Sequence, residues 1–364
     1  MQALNLHLME KEVTQYACGA YRNLVTNSKP NTTKILAAGG CKLVVKTLKL
    51  YLEENEIARQ TCAIISSLLM NDEAFKNEFG ACGGCEVVVK ALNVHFNEKD
   101  VSENACGAIW SLAMNELDRI ELGAYGGCEV VVKALNLHVN ENQIVKKACN
   151  AIWSLALEND ANKIRFGACE GCKIVIKALK FHMKEKDVVE NACRAIWNLA
   201  FGNATNQIEL GAREGCEAVV QVLKIHFKEK EITKIALEII GNLATNNEAS
   251  QLIFRNCGSC EVVVDALNLH LNEKEVVKEA CKAIWSLAMN DTNQIKFGAC
   301  GGCEVVVKAL NLYLNEEEIT ECICAAIAGL SGKNKSRLNQ LGTATLTQRC
   351  AENKYKELVL NFLR

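Results

Sequence analysis

Apolar residues recur at intervals of three and four positions in a stretch that is repeated along the chain. Around Trp197 they are Val189, Ala192, Cys193, Ile196, Leu199 and Ala200. This spacing places them on one face of an α-helix. The stretch EVVVKALNLH at 129–138 has the β-branched content of a strand, but it runs through NLH without turn residues. We therefore predict that it is helical as well.

A cysteine that usually follows glycine marks the period of the chain. It recurs at intervals of 43 or 44 residues, at Cys41, Cys85, Cys128, Cys172, Cys216, Cys260 and Cys303. Each unit divides into three helical stretches, and the Gly-Gly pairs at 83–84, 126–127 and 301–302 provide a permissive backbone for a bend between the first two. We expect the third helix to be capped by the asparagine before it, namely Asn97, Asn140, Asn272 or Asn315.

The repeats define the expected domain organisation. We predict a partial repeat at 1–30, seven repeats in one continuous solenoid at 31–330, and a diverged capping repeat at 331–364. One helix cannot bury so wide an apolar stripe alone, so neighbouring units must stack into a shared core.

Two third-helix segments resemble armadillo repeats. They are ACRAIWNLAFGN at 192–203 and ALEIIGNLATNN at 236–247, which share an Asn-Leu-Ala core. The resemblance extends over nearly the whole chain and implies an all-α fold, a right-handed α-solenoid of three-helix repeats (an α-α superhelix). It also implies a non-catalytic scaffold or adaptor that binds a protein or extended peptide along the concave surface lined by the third helices.

Nuclear-import adaptors resemble this fold, but the chain differs from them in the residues of its third helices. Those adaptors carry tryptophan and asparagine four residues apart on the third helix. The positions that match the tryptophan hold Gly107, Asn150, Arg194, Glu238 and Lys282. We therefore do not expect the chain to recognise basic import signals.

Composition narrows the partners and the compartment. A formal charge of −2, from 41 basic and 43 acidic residues, gives no field that favours nucleic acid or an anionic membrane. The sequence has no secretion signal and no run of apolar residues long enough to span a bilayer, so we expect no membrane insertion. The 20 cysteines recur in phase with the repeat among apolar residues. We expect them to be reduced, buried thiols, which indicates the cytoplasm or nucleus.

The tryptophans occupy a single position of the repeat. They are Trp110, Trp153, Trp197 and Trp285, and Gly241 interrupts the column. Helical geometry places them at the border of the polar face. Two interpretations stay open: the indoles contact a partner, or they pack only against the next repeat. For the first, the predicted contacts are these tryptophans with Asn104, Lys147, Asn150, Asn191, Arg194, Asn198 and Asn242.

Other periodic residues are expected to be structural. The histidines His7, His95, His138, His182, His226 and His270 form one column, in which Tyr51 and Tyr313 replace histidine. One imidazole per repeat cannot converge on one ion. The Cys-x-x-Cys pairs Cys82/Cys85, Cys169/Cys172, Cys257/Cys260 and Cys300/Cys303 are also predicted to be buried core, with redox sensing as the alternative. We expect no catalytic residue, cofactor or metal, since no phosphate loop or nucleophile motif is found.

The function that this pattern favours is a protein-interaction scaffold. One alternative is the regulatory repeat segment of a larger signalling enzyme such as a kinase, because the sequence begins partway through a repeat. A nuclear-transport adaptor is a further alternative, which the missing tryptophan-to-asparagine ladder disfavours. The sequence does not indicate whether the chain associates with itself.

Overall fold

The computed structural model describes residues 2–26, 28–71, 73–352 and 354–363, and these fold into α-helices joined by short turns. The chain divides into two compact units, Met1–Phe181 and His182–Arg364.

The first unit consists of helices grouped in threes, as the sequence predicts. In its described residues they are α1 (Gln2–Leu6), α2 (Lys11–Val25), α3 (Lys29–Ala37), α4 (Gly40–Leu50), α5 (Asn55–Asn71), α6 (Glu73–Ala81), α7 (Gly84–Val94), α8 (Lys99–Leu112), α9 (Glu116–Ala124), α10 (Gly127–Leu137), α11 (Asn142–Ala156), α12 (Asp160–Ala168) and α13 (Gly171–Phe181). The long third helices α2, α5, α8 and α11 pack side by side, and the second helices α4, α7, α10 and α13 form a parallel row.

The second unit repeats this arrangement. Its described helices are α14 (Lys186–Ala200), α15 (Ala204–Leu210), α16 (Arg213–His226), α17 (Lys230–Ala244), α18 (Glu248–Asn256), α19 (Ser259–Leu269), α20 (Lys274–Leu287), α21 (Asp291–Ala299), α22 (Gly302–Leu312), α23 (Glu317–Gln340), α24 (Thr343–Arg349) and α25 (Lys356–Leu363). The third helices α14, α17, α20 and α23 pack in sequence, and α23 contains a kink at Asn334. The division into a partial repeat, seven repeats and a cap stays a prediction.

The predicted helical conformation of the valine-rich stretch is confirmed, because 129–137 lies within α10. Its apolar side chains enter the core, with Val131, Ala134 and Leu135 fully buried. Burial of the stripe on each helix stabilises the stack, since a buried aliphatic side chain contributes roughly 1.5–3 kcal/mol relative to an exposed one.

The glycine pairs make the sharp bend between the first and second helices. Gly83 has φ 80°, a left-handed conformation that residues with a Cβ adopt rarely. Gly84 is needed for space, because a Cβ there would lie 2.2 Å from Cδ1 of Phe79. The prediction of a glycine turn is confirmed, although Glu170 adopts φ 62° at the same position of another repeat.

The predicted asparagine caps of the third helices are wrong. At α8 the capping position is Glu98, one residue after Asn97, and its side chain makes no capping hydrogen bond. The capping positions that follow Asn140, Asn272 and Asn315 are likewise glutamates without a side-chain cap, namely Glu141, Glu273 and Glu316. Asparagines instead cap the first helices, where Asn115, Asn159, Asn203, Asn247 and Asn290 accept hydrogen bonds from backbone amides. The extended backbone conformation that a cap needs falls one residue later than the sequence suggested.

The histidine column joins consecutive repeats. Four imidazoles place Nε2 2.7–2.8 Å from a backbone carbonyl oxygen of the preceding repeat, in the pairs His95–Leu52, His138–Phe96, His226–Met183 and His270–Phe227. Tyr51 and Tyr313 donate their hydroxyls to the corresponding carbonyls at 2.8 Å. Because a carbonyl only accepts, Nε2 carries the proton in each pair. These bonds agree with the structural role predicted for the column at His95, His138, His226 and His270, whereas the exposed imidazole of His7 bonds to Glu10.

We expect His270→Phe to lower the free energy of unfolding by about 1 kcal/mol, because it removes a hydrogen bond to the carbonyl of Phe227, which keeps the longer bond from Oγ1 of Thr233 at 3.3 Å. His270→Tyr should retain most of the stability, since Tyr313 makes the equivalent bond in the next repeat. Urea denaturation followed by circular dichroism separates the two variants. Equal stability of both would contradict a role for the hydrogen bond.

A second ladder is built from buried side chains on the first helices. Asn162 donates through Nδ2 to the carbonyls of Arg119 and Leu155, at 3.2 and 2.9 Å. Asn293 donates in the same way to Gln251 and Leu287, at 3.2 and 2.9 Å. Each amide thus ties a first helix both to the first helix of the preceding repeat and to the end of the third helix before it. This ladder satisfies the buried Nδ2 donors of both asparagines.

All 20 cysteines are free thiols, and the third-helix cysteines lie in the core. Burial raises the pKa of Cys62, Cys106 and Cys193 to about 12, so these thiols stay protonated and act as small apolar groups. In the Cys-x-x-Cys pairs only the second cysteine is buried. The first member is half-buried at Cys82, Cys169, Cys257 and Cys300, which corrects the expectation that both would be core. The first cysteine ends a short helix at the surface of the turn.

No helix in the described part of the chain is both long enough and apolar enough to cross a lipid bilayer.

Candidate functional site

The tryptophan column lies on the third helices, and its indoles are only half-buried. Trp110 and Trp153 belong to α8 and α11, and Trp197 and Trp285 belong to α14 and α20. Each indole keeps part of its surface in contact with solvent. The predicted position at the border of the polar face agrees with this exposure, while the choice between binding and packing stays open for the column as a whole.

Three further predicted contact residues of the first unit have partners within that unit. Asn104 donates to the carbonyl of Asp100 at 2.8 Å, one turn earlier on α8. Lys147 forms an ion pair with Glu103 at 3.0 Å. Asn150 is buried, with 7% of its surface exposed. The binding role of these residues stays a prediction, and a partner would have to compete with these contacts.

The equivalent residues of the second unit are held or buried in the same way. Asn191 donates to the carbonyl of Asp187 at 2.8 Å, and Arg194 pairs with Glu190 at 2.7 Å. Asn198 is 2% exposed. Their contribution to binding also stays a prediction. Asn242 differs from them, because it lines an open cavity.

The interruption of the tryptophan column creates this cavity in the second unit. Gly241 stands on α17 where the units on either side carry Trp197 and Trp285, and the missing indole leaves a cavity of about 950 Å³. Trp197 stacks on Phe201 with ring centroids 5.1 Å apart, and this pair lines the cavity together with Trp285. We call this cavity the Gly241 gap. It is lined by Trp197, Phe201, Gly202, Ala204, Gln207, Ile208, Glu238, Gly241, Asn242, Thr245, Asn246, Asn247, Glu248, Glu279, Lys282, Trp285 and Ser286.

The polar groups of the gap are held by bonds across neighbouring helices. Gln207 donates to Oδ1 of Asn242 at 2.7 Å, and the hydroxyls of Thr245 and Ser286 lie 2.8 Å apart. Nδ2 of Asn242 is buried and has no partner among the described residues. A buried amide donor without an acceptor is costly, about 1–3 kcal/mol. An acceptor supplied by a bound molecule would satisfy it.

Carboxylates outnumber cations in the gap. Glu238, Glu248 and Glu279 line it, against Lys282 alone. Lys282 is already paired with Glu279 at 2.8 Å. Burial and the nearby carboxylate of Glu279 raise the pKa of Glu238. A cationic group in the gap would favour the ionised form of Glu238, and it would also lie beside the electron-rich faces of the indoles.

Sequence reasoning missed most of the residues that form this cavity. Gly241 was visible only as an interruption of the column, and Glu238 and Lys282 were considered only as replacements for a family tryptophan. Phe201 directly follows α14 and Glu279 lies on α20, so their convergence requires the structure. The signal that could have found the site is the glycine between two tryptophans one repeat away on each side.

One group of side chains in the described residues has the composition of a metal site. Cys85, Asp118 and Glu121 each offer one ligand atom, and these atoms lie within 4.8 Å of one another. The group is in the first unit and does not involve Cys82, the partner of Cys85 in the Cys-x-x-Cys pair.

Stacked three-helix units whose third helices form a side-by-side row define an α-solenoid repeat protein. Solved structures specify the type. A chain from a structure that describes a phosphorylation switch controlling the interaction between cadherin and beta-catenin aligns with TM-score 0.82 and 15% identity, covering 100% of this chain and 77% of that chain. An engineered protein aligns with TM-score 0.67 and 19% identity over 97% of this chain and 96% of its own.

A designed armadillo repeat protein also aligns, with TM-score 0.56 and 22% identity, covering 64% of this chain and 98% of that chain. No protein-family profile and no curated protein sequence matches the chain. The structural matches confirm the fold predicted from sequence: the chain has the armadillo repeat fold.

Proposed function

We propose that this chain is a protein-interaction scaffold that binds an extended segment of a partner protein along the third helices of its second unit. The Gly241 gap would receive one long cationic side chain of that segment. The observation that carries the proposal is the cavity of about 950 Å³ opened by one glycine in a column of tryptophans.

The form of the gap supports a peptide rather than a small metabolite. The gap is open along the row formed by α14, α17 and α20, and it joins apolar aromatic walls to a few polar groups. Indoles are frequent anchors of protein interfaces, because they bury a large area with little loss of conformational freedom. Nδ2 of Asn242 provides an unused donor for a backbone carbonyl, which is how an extended segment would be held in register.

The charges of the gap support a cationic side chain. Glu238 and Glu279 lie on adjacent helices; Lys282 forms an ion pair with Glu279, whereas Lys234 and Lys282 act on Glu238 only through the longer-range field of their charges among the described residues. A lysine or arginine would pair with Glu238 while its stem lies against Trp197 and Trp285. Cation–π contact with an indole contributes about 0.5–2 kcal/mol.

The proposal is tested by selecting short random peptides on the immobilised full chain. We expect the enriched peptides to share one Lys or Arg at a fixed position. Fluorescence anisotropy then compares the wild type with the variant that carries both Trp197→Ala and Trp285→Ala. Loss of a hot-spot side chain costs about 2 kcal/mol, so the double variant should bind at least roughly 30-fold more weakly.

Trp110→Ala is the matched control, since it removes an indole at the same repeat position in the first unit. Circular dichroism checks that all variants keep their helices. Enriched peptides that lack a shared cation would overturn the assignment of the cationic side chain. Equal weakening by the control, or unchanged affinity of the double variant, would overturn the assigned site.

A further inference from the structure

In five units, a buried polar residue lies ten positions before the cysteine that marks the repeat. It is asparagine or serine in four units, at Asn162, Asn206, Ser250 and Asn293, and aspartate at Asp118. The asparagines Asn162 and Asn293 donate to two backbone carbonyls each. An ionised aspartate has no proton to donate, so Asp118 cannot replace them in the ladder.

The carboxylate of Asp118 also has few hydrogen-bond or ion-pair partners. Its side chain is buried, with 9% of the residue exposed, and a Cβ on Gly80 would lie 2.3 Å from Oδ1. The carboxylate makes no ion pair and accepts no hydrogen bond from an N–H or O–H group within the described ranges. Its contact is the thiol of Cys85, with Sγ 3.7 Å from Oδ1. A buried carboxylate without a cation is unfavourable unless it is protonated or binds a metal.

A third ligand lies one turn further along α9. The carboxylate of Glu121 approaches both groups, so that one atom from each of Cys85, Asp118 and Glu121 lies within 4.8 Å of the other two. Cys85 is at the start of α7, and the carboxylates belong to the next repeat along the chain. Neither Lys nor Arg pairs with Asp118 or Glu121 in the part of the chain that the structure describes. The group therefore combines two carboxylates and a thiol without a compensating positive charge.

We propose that Cys85, Asp118 and Glu121 bind a zinc ion that ties α7 to α9. Zinc accepts sulfur ligands at about 2.3 Å and carboxylate oxygens at about 2.0–2.2 Å, which places neighbouring ligand atoms ~3.5 Å apart. The three ligand atoms, which lie within 4.8 Å of one another, would move closer together on binding the ion. Water completes the tetrahedron from the half-exposed side of Glu121. Binding converts the thiol of Cys85 to a thiolate and releases its proton to solvent.

The other units provide an internal comparison. The position of Asp118 holds Phe75 beside Cys41 and Asn206 beside Cys172, although glutamate follows three residues later in both cases, at Glu78 and Glu209. Only the unit of Asp118 combines both carboxylates with the cysteine of the preceding unit. The chain should therefore bind one zinc ion tightly, in spite of its 20 thiols.

The test uses the reduced full chain, stripped of metal with a chelator and titrated with Zn²⁺ by competition against a chromogenic chelator. We expect one tight equivalent for the wild type, accompanied by proton release and a higher Tm. Asp118→Asn recreates the asparagine of the other units and keeps every thiol. It should weaken the tight site by roughly 100-fold or more and remove the zinc-dependent rise in Tm.

Cys172→Ala is the control, because it removes the equivalent thiol at a place where the following unit has Asn206 instead of the aspartate. It should leave the tight equivalent unchanged. Glu121→Gln provides a second ligand variant should Asp118→Asn fold poorly. The same stoichiometry and affinity in wild type and in a folded ligand variant would show thiol binding of an adventitious kind and overturn the proposal. Absence of any tight equivalent in the wild type would overturn it as well.

Discussion

Gly241→Trp is expected to weaken peptide binding to the second unit by at least roughly 30-fold in affinity. Tryptophan occupies this repeat position in four other units, so the helix register can accommodate an indole. A Cβ at Gly241 would meet only ordinary contacts, the nearest at 3.7 Å to Ala283. The new indole would fill the gap between Trp197 and Trp285 and exclude the side chain that binds there. Loss of a fully buried anchor of 2–4 kcal/mol corresponds to about 30- to 1,000-fold.

The same substitution should not destabilise the chain, which separates loss of the site from loss of the fold. Glycine in the middle of a helix costs about 0.5–1 kcal/mol relative to alanine. Gly241→Ala is the matched control: it restores helix propensity but leaves the cavity open, and it should bind the selected peptide with wild-type affinity. Anisotropy titrations measure the peptide affinity of both variants, and thermal unfolding measures their stability. Wild-type affinity in Gly241→Trp would show that the peptide lies elsewhere.

Asn293→Ala should lower the free energy of unfolding of the second unit by about 2–4 kcal/mol. The variant leaves the carbonyls of Gln251 and Leu287 without the donor that they share, and both bonds are buried. Each lost hydrogen bond costs about 0.5–1.5 kcal/mol, and the alanine also leaves a small cavity, while the amide of Asn290 still donates to the carbonyl of Leu287 at 3.3 Å. This ladder connects consecutive first helices, so its loss weakens the contact between neighbouring repeats as well as the helix itself.

Asn311→Ala is the control for this change, because Asn311 is exposed at the end of α22. It should change the stability by less than about 0.5 kcal/mol. Urea denaturation gives both values, and amide hydrogen exchange locates the effect in α21 and its neighbours. A loss below 1 kcal/mol in Asn293→Ala would indicate that water replaces the donor and that the ladder contributes little.

The repeat period and the helical spacing of apolar residues were sufficient to predict the fold, because a solenoid is determined by local periodicity and contacts between neighbouring units. The structural role of individual polar residues was harder to predict from the sequence. Asn97 and Glu98 are adjacent, and the backbone angles that decide which one caps α8 depend on how the turn packs. The sequence also could not show that Asn198 would be buried while Asn242 lines a cavity, since that difference follows from the size of the neighbouring side chain.

The candidate sites could likewise be predicted only in part from the sequence. Gly241 was visible as a break in a column, but the cavity needs Phe201 and Glu279 from the adjacent repeats to form its walls. Cys85 and Asp118 are 33 residues apart and belong to different repeats, so no local spacing motif relates them. Sites formed between repeats depend on stacking, and a periodic sequence specifies stacking only on average.

The most direct test of peptide binding at the Gly241 gap is a titration followed through the indole N–H signals of the intact chain. The chain has 4 tryptophans, and each gives one signal that a Trp→Phe variant assigns. On addition of a selected peptide, the signals of Trp197 and Trp285 should shift and saturate together, while that of Trp110 stays in place. Shifts confined to Trp110 and Trp153, or no shift at saturating peptide, would contradict binding at the gap.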